Sequence, residues 1–127
     1  MNKSIAIIED SELISDLYHK FMENTFSCDV KTFSSAEEFL NSDMSPDLIL
    51  LDYFLDKGDP SAMTGLDLLD ELRHSNREMP VIVVSGLRNH HVMKQLRDYK
   101  IINFIDKDAP QFWIQLENGI RDFFNNK

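Results

Sequence analysis

Two kinds of hydrophobic spacing alternate along the chain, and this alternation constrains the fold more than any other feature. Short apolar runs of strand length are each followed by a segment in which apolar residues recur every three or four positions, as on one face of a helix. The predicted strands are SIAII, CDVKTF, DLILL, PVIVVS and IINFI. The predicted helices contain ELISDLY, SSAEEFL, LDLLDEL, HVMKQLRDY (residues 91–99) and PQFWIQL, with Pro110 in the first turn of the last one. Strict alternation of this kind is typical of a parallel sheet with helices on both faces.

The third and fourth predicted strands are apolar at every position over residues 48–51 and 81–84. Such runs fit strands that are buried on both faces, as in the middle of a parallel sheet. The chain has 127 residues, of which 43% are hydrophobic, enough for one compact domain with a filled core. Because no repeat, linker or low-complexity tract interrupts the pattern, we expect a single domain over residues 1–127.

The charge balance argues against two classes of partner. There are 13 basic and 22 acidic residues, a net charge of −9, which disfavours direct binding to nucleic acid or to an anionic membrane because both carry the same sign. Cys28 is the only cysteine, so no intrachain disulfide can form, which suits a reducing compartment; we expect its thiol to be buried. The apolar run near the start is too short for a signal peptide or a membrane span. We therefore predict a cytoplasmic protein.

Polar side chains follow four of the five predicted strands. The first strand is followed by Glu9 and Asp10, the third ends on Asp52, the fourth on Ser85, and Lys107 follows the fifth. In an open α/β sheet, ligands bind beyond the carboxyl ends of the strands, where the strand order reverses. We expect these five side chains to converge there, with the third strand holding Asp52 in place and its charge at the solvent edge.

Three carboxylates, a hydroxyl and an ammonium at one edge point to phosphoryl chemistry. Crowded carboxylates repel one another, and burial adds to the cost of their charges. Mg²⁺ would relieve both, since it prefers a few carboxylates together with waters and phosphate oxygens. A carboxylate can also act as a nucleophile and form an aspartyl phosphate. Lys107 and the metal would then neutralise charge on the phosphoryl oxygens, and Ser85 could donate a hydrogen bond to one of them.

In this order on these strands, the residues resemble the receiver domain of two-component response regulators, of the kind found in chemotaxis regulators. The matching positions are an acidic pair, an aspartate, a serine before a small residue, and an aromatic three residues before a lysine: Glu9 and Asp10, Asp52, Ser85 and Gly86, Phe104 and Lys107. Each match is weak alone, but the combination is specific and covers the whole chain. The resemblance implies a flavodoxin-like (βα)5 fold, a doubly wound five-stranded parallel sheet with strand order 2-1-3-4-5.

The resemblance also implies a reaction. A histidine kinase or a histidine phosphotransfer protein would donate a phosphoryl group to Asp52. Mg²⁺ would be held by Asp10, by Asp52 and by the backbone carbonyl of Phe54, with Glu9 acting through water. Lys107 would contact the phosphoryl group. The protein would be a phosphoacceptor switch, not an enzyme with other substrates.

The switch implied by the resemblance consists of Ser85 and Phe104. The hydroxyl would move toward the phosphoryl group, and the aromatic ring would turn inward. That change would reshape the face made by the fourth helix, the fifth strand and the fifth helix, where a downstream protein or a second copy of the chain would dock. His90 and His91 lie near this face and are candidates for partner contact only.

The sequence departs from the family pattern at three places. The acidic pair is Glu-Asp, a common variant of Asp-Asp. The loop over residues 53–64 is several residues longer than usual, and its Asp56 and Asp59 could alter the choice of kinase, reach toward the metal, or simply belong to a tolerated insertion. Lys107 is followed by Asp108 where the family often has a proline after a cis bond. Because a cis bond there would cost about 3 kcal/mol, we expect a trans or a strained peptide.

Three other classes are weighed against this interpretation. A flavodoxin-like cofactor carrier needs a Ser/Thr/Gly-rich loop after the first strand, where this chain has EDSE. A haloacid-dehalogenase-like phosphohydrolase needs a second aspartate two residues after the first, and Phe54 occupies that place. A degenerate receiver would bind partners without phosphorylation. The chain could be a stand-alone receiver or part of a larger regulator.

Two apolar residues bear on the lifetime of the phosphorylated state. Phe54 and Leu87 each lie two residues past a site residue, Asp52 and Ser85 respectively. Both would flank the path of an attacking water. The sequence therefore predicts slow self-dephosphorylation.

Overall fold

The structure is a computed structural model that describes residues 3–55, 59–86 and 90–125, with His90 and His91 described by their backbone alone. Strands and helices alternate along these residues. The strands are β1 (Lys3–Ile8), β2 (Cys28–Phe33), β3 (Leu48–Asp52), β4 (Val81–Ser85) and β5 (Ile101–Asp106). The helices are α1 (Glu12–Thr25), α2 (Ala36–Asn41), α3 (Gly65–His74), α4 (His90–Leu96) and α5 (Phe112–Asn125).

Over the described residues, the five strands form one parallel sheet in the order β2-β1-β3-β4-β5. This confirms the predicted doubly wound, flavodoxin-like fold. The chain runs from β1 outward to β2, then returns to place β3 on the other side of β1. The order of strands therefore reverses between β1 and β3, and their carboxyl ends define the crevice where a ligand would bind.

Each face of the sheet has its own apolar core. In β1, Ile5 and Ile7 point toward α1 and α5, while Ala6 and Ile8 point toward α2, α3 and α4. All residues of β3 and β4 are buried, which confirms the prediction from their uninterrupted apolar runs. Asp52, the last residue of β3, therefore lies on a strand that packs against an apolar core on each face of the sheet.

Local caps start the helices that follow the strands. The Ser11 hydroxyl accepts a hydrogen bond from the backbone N–H of Ile14 and caps α1, which leaves Asp10 outside the cap. Thr64 and Asp67 form a reciprocal capping box at the start of α3. Such caps satisfy amide groups that have no partner within the helix. These two caps fix where the loops after β1 and β3 end and where α1 and α3 begin.

Three expectations about element ends and burial need correction. The helix predicted over residues 91–99 ends at Leu96, because Tyr99 leaves the helix and its hydroxyl donates to Asp70 of α3. Pro110 lies in a turn before α5 rather than in its first turn, since the amide of Phe112 closes that turn on Ala109. Cys28 is only half-buried, because β2 is an edge strand. Within the described residues, every helix is too short or too polar to cross a bilayer.

Candidate functional site

Asp52 is the last residue of β3 and lies at the reversal of strand order. Its side chain is buried, with 2% of the residue exposed. The expectation that its charge lies at the solvent edge was therefore wrong, because neighbouring groups on the loops cover it. One of them is the amide of Phe54, which donates to Asp52 Oδ1 at 3.3 Å. The other carboxylate oxygen, Oδ2, faces Lys107.

Two further carboxylates surround Asp52, as the sequence predicts. Glu9 and Asp10 follow β1, and one oxygen of each lies within 4.8 Å of an oxygen of Asp52 and of each other. Glu9 is 1% exposed, and its Oε2 accepts from the backbone amide of Ser11 at 3.0 Å. The turn that begins α1 therefore orients Glu9 toward the cluster.

Lys107 supplies a positive charge to this cluster. Its Nζ lies 3.3 Å from Asp52 Oδ2 and 3.8 Å from Glu9 Oε1. The backbone amide of Lys107 donates to the carbonyl of Ser85 at 3.0 Å, which continues the β4–β5 pairing beyond the end of β5. The sheet thus delivers the ammonium to the two buried carboxylates.

The electrostatics of Glu9 are unusual for a carboxylic acid. Burial raises the pKa of Glu9 from 4.5 to about 8, the amide of Ser11 opposes that rise, and the charge of Asp52 adds to it. Lys107 lies closer to Asp52 than to Glu9, so it does not remove the effect. Without a cation, burial and the charge of Asp52 therefore favour the protonated form of Glu9.

The residues fit a divalent cation. Glu9 Oε1 and Asp10 Oδ1 are buried oxygens that accept no hydrogen bond, although such atoms normally have a partner. Among the described residues, three carboxylates face one ammonium, so a cation of charge two would balance them. Oxygen ligands of this kind suit Mg²⁺. The same cation would favour the deprotonated form of Glu9.

The two predicted switch residues lie on neighbouring strands. Ser85 is fully buried at the end of β4, and its strand neighbour Val84 pairs with Asp52. Phe104 is half-buried on β5, where it packs against the core beneath α3 and α4 and also lines a surface groove. Both positions are compatible with the predicted switch.

The long loop over residues 53–64 is described only in part. Asp56 and Leu87 lie outside the described residues. Asp59 is exposed and accepts hydrogen bonds from the hydroxyl and amide of Ser61, which lower the pKa of Asp59. Its carboxylate therefore shapes a local turn. The Lys107–Asp108 peptide is trans, since the described residues contain no cis bond.

Two contacts around the site were not predicted. The hydroxyl of Tyr53, the residue after Asp52, donates to Gln95 Oε1 of α4 at 3.2 Å. Glu37 Oε2 of α2 accepts from the amide of Met63 at 3.0 Å and ties the long loop to that helix. Neither pair is close in sequence, so no local spacing could have indicated them.

A buried aspartate at the strand reversal, an acidic pair and a lysine together define a class of flavodoxin-like proteins with an acidic, cation-compatible site at the carboxyl edge of the sheet. Comparison with known families agrees with this class. The family model described as response regulator receiver domain matches residues 5–115. The chain therefore belongs to the response regulator receiver domain family, the regulatory switches of two-component systems.

Curated relatives and a solved structure are also similar to this chain. The chain is 29% identical over 109 residues to the transcriptional regulatory protein DcuR of Escherichia coli K12, covering 82% of this chain and 44% of that protein. It is 29% identical over 124 residues to the transcriptional regulatory protein MalR of Bacillus subtilis, covering 94% and 49%. The chain thus spans about half the length of these relatives or less. The signal receiver domain of a putative Luxo repressor protein from Vibrio parahaemolyticus shares the fold, with a TM-score of 0.83 at 19% identity over 99% of this chain and 92% of that one.

Proposed function

We propose that Asp52 accepts a phosphoryl group from the phosphohistidine of a histidine kinase or a histidine phosphotransfer protein, in a reaction that requires Mg²⁺. The observation that carries this proposal is the position of the Asp52 carboxylate, buried and 3.3 Å from the ammonium of Lys107. That carboxylate also lies beside carboxylate oxygens of Glu9 and Asp10 that have no hydrogen-bond partner.

Each group at the site has a separate role in the reaction. Asp52 attacks the phosphorus, the bond from phosphorus to the donor's imidazole nitrogen breaks, and an acyl phosphate forms on Asp52. The amide of Phe54, which donates to Asp52 Oδ1, orients the carboxylate before attack. Lys107 balances charge on the phosphoryl oxygens, and the hydroxyl of Ser85 donates to one of them.

The metal would be held by Asp10, by Asp52 and by the backbone carbonyl of Phe54, with Glu9 acting through water. Its chemistry is to neutralise negative charge on the incoming phosphoryl oxygens. The role of Glu9 requires its ionised form, which burial disfavours because it raises the pKa of Glu9. Metal binding should therefore release protons.

Phosphorylation changes the shape of one surface of the domain. Ser85 and Phe104 form the switch, in which the hydroxyl turns toward the phosphoryl group and the ring of Phe104 turns inward. This alters the face formed by α4, β5 and α5, where a protein partner or a second copy docks. We expect self-dephosphorylation to be slow, because an apolar Phe54 two residues past Asp52 would flank the path of an attacking water.

Intact-mass analysis tests the proposal. The protein is incubated with acetyl phosphate and Mg²⁺, beside an Asp52→Asn variant and a sample with chelator. We expect one added phosphoryl group in the wild type and none in either control. Uptake by the variant, or uptake in chelator, would refute the proposed chemistry. A folded, Mg²⁺-bound wild type that takes up none from acetyl phosphate or from a phosphorylated histidine donor would favour the alternative, a receiver that binds partners without phosphorylation.

A further inference from the structure

A groove of about 890 Å³ runs between α4, β5 and α5. Its apolar part is made by Met93 of α4, Phe104 and Ile105 of β5, and by Ala109 and Pro110 of the turn before α5. Phe104, the predicted switch residue, is therefore part of its wall. A change in the ring of Phe104 would change the shape of the groove.

A glycine in the middle of α5 deepens this groove. Gly119 lines it, and a Cβ at that position would lie 2.9 Å from Asn103 Nδ2 on β5. Glycine inside a helix costs about 1 kcal/mol relative to alanine. The chain thus accepts a less stable helix where α5 and β5 approach across the groove.

The rim of the groove is acidic. Asp106, Asp108 and Asp122 line it, and none of the described residues that line it carries a positive charge. Lys107 lies between two of these aspartates in sequence, but its ammonium points to Asp52 and Glu9 instead. The nearest lysine in sequence therefore serves the phosphoacceptor site and leaves the rim negative.

We propose that this groove binds a cationic segment of a partner protein, which places an apolar side chain against Phe104 and its lysine or arginine side chains against the three rim aspartates. The inference rests on the proposed function, which places partner docking on this face, and adds the chemistry of the partner. A second copy of this chain carries a net charge of −9, so the acidic rim favours a partner of opposite charge over a second copy.

Defined peptides test the sign of charge that the groove accepts. One synthetic amphipathic peptide has leucines on one face and lysines on the other, and its matched partner has glutamates in place of the lysines. Each is titrated into the full chain while backbone amide shifts are followed by NMR. We expect the lysine peptide to shift amides of residues 103–109 and 115–122, and the glutamate peptide to shift none of them.

A charge-reversal pair separates the groove from the general acidity of the chain. Asp122→Lys changes an exposed rim residue of α5, and Asp16→Lys makes the same change on the exposed surface of α1. We expect Asp122→Lys to lower the affinity for the lysine peptide roughly tenfold. Asp16→Lys should change that affinity by less than about twofold, the effect expected of a distant screened charge.

Three outcomes would overturn the inference: equal losses in both variants, equal binding of the two peptides, or dimerisation of the chain through the groove. Phosphorylation of each variant is measured in parallel by intact mass. Peptide binding is titrated whether or not phosphate is taken up, so failure of the groove proposal is distinguished from failure of the phosphoacceptor proposal.

Discussion

Glu9 shows how a buried side chain can be prepared for a cation. It is one of three clustered carboxylates, its Oε1 has no hydrogen-bond partner, and burial raises its pKa to about 8. Protonation of Glu9 in the metal-free chain would lower its repulsion with Asp52. A divalent cation bound beside the three carboxylates would lower that repulsion in the same way.

Protonation of Glu9 makes the stability of the metal-free chain depend on pH. The unfolded chain releases the Glu9 proton near pH 4.5 and the folded chain near pH 8, so the folded state binds more protons in between. The stabilisation is therefore fully present below pH 4.5 and is lost as the pH rises through about 8. We expect the free energy of unfolding in chelator, measured with urea, to fall over this range.

The control for this prediction is Glu9→Gln, which cannot titrate. The histidines of the chain contribute equally to both proteins, so the difference between the two curves isolates Glu9. We expect a flatter pH dependence in the variant. Parallel curves for the two proteins would show that Glu9 has an ordinary pKa.

At the scale of elements, contacts between neighbours position the site. The carbonyl of Tyr53 accepts from the amide of Gly65 at 3.2 Å, which joins the start of the long loop to the first residue of α3. The hydroxyl of Tyr53 reaches Gln95 of α4. One residue next to Asp52 thus contacts two helices, and it links the site to an element of the groove.

Two glycines should respond in opposite ways to alanine. A Cβ at Gly65 would lie 2.7 Å from the backbone oxygen of Tyr53, which cannot move without disturbing β3. We expect Gly65→Ala to lower stability by about 1–3 kcal/mol. At Gly119 the obstacle is the amide of Asn103, the end of an exposed side chain that can turn away, so alanine should stabilise α5 by up to about 1 kcal/mol.

Urea unfolding of both variants at constant m-value measures this contrast. The Gly119→Ala variant should also bind the lysine peptide more weakly, since its methyl group fills part of the groove. A stability loss in Gly119→Ala as large as that in Gly65→Ala would mean that Asn103 is fixed in place.

At the scale of the whole molecule, the local hydrophobic pattern of the sequence was enough to predict how the strands are arranged in the sheet. The fully apolar runs predicted β3 and β4 as central strands, and strict alternation predicted the doubly wound sheet. Because strand ends meet at one edge, Glu9, Asp10, Asp52 and Lys107 could be grouped before any distance was known.

Quantities that depend on distance between remote segments could not be predicted. The depth of Asp52 depends on loops that cover it, and the raised pKa of Glu9 depends on its burial and on how near Asp52 lies. The acidic rim joins Asp106 and Asp122 across a groove, and no periodicity relates a strand end to the outer turn of a later helix.

Metal binding should stabilise the whole fold, because the site brings together residues that follow β1 and the last residue of β3. A ligand that binds only the folded state adds about 2.7 kcal/mol at a hundred times its dissociation constant. We expect the melting temperature of the wild type to rise with Mg²⁺, and to return in chelator.

The matched controls for this prediction are Asp10→Asn and NaCl at equal ionic strength. A chain with a net charge of −9 gains stability from any salt through screening. Only the part of the rise in melting temperature that Mg²⁺ gives beyond NaCl therefore reports binding at the site. That excess should disappear in Asp10→Asn. An equal excess in the variant would place the metal elsewhere.

The most direct test of the central claim is to locate the phosphoryl group. The chain is phosphorylated in the presence of Mg²⁺, reduced with borohydride, which converts an acyl phosphate to homoserine, and digested with trypsin. Cleavage after Lys31 and Lys57 releases residues 32–57, which contain four aspartates. The account predicts homoserine at Asp52 and no other reduced carboxylate; homoserine at a different aspartate, or 5-hydroxynorvaline at a glutamate, would contradict it.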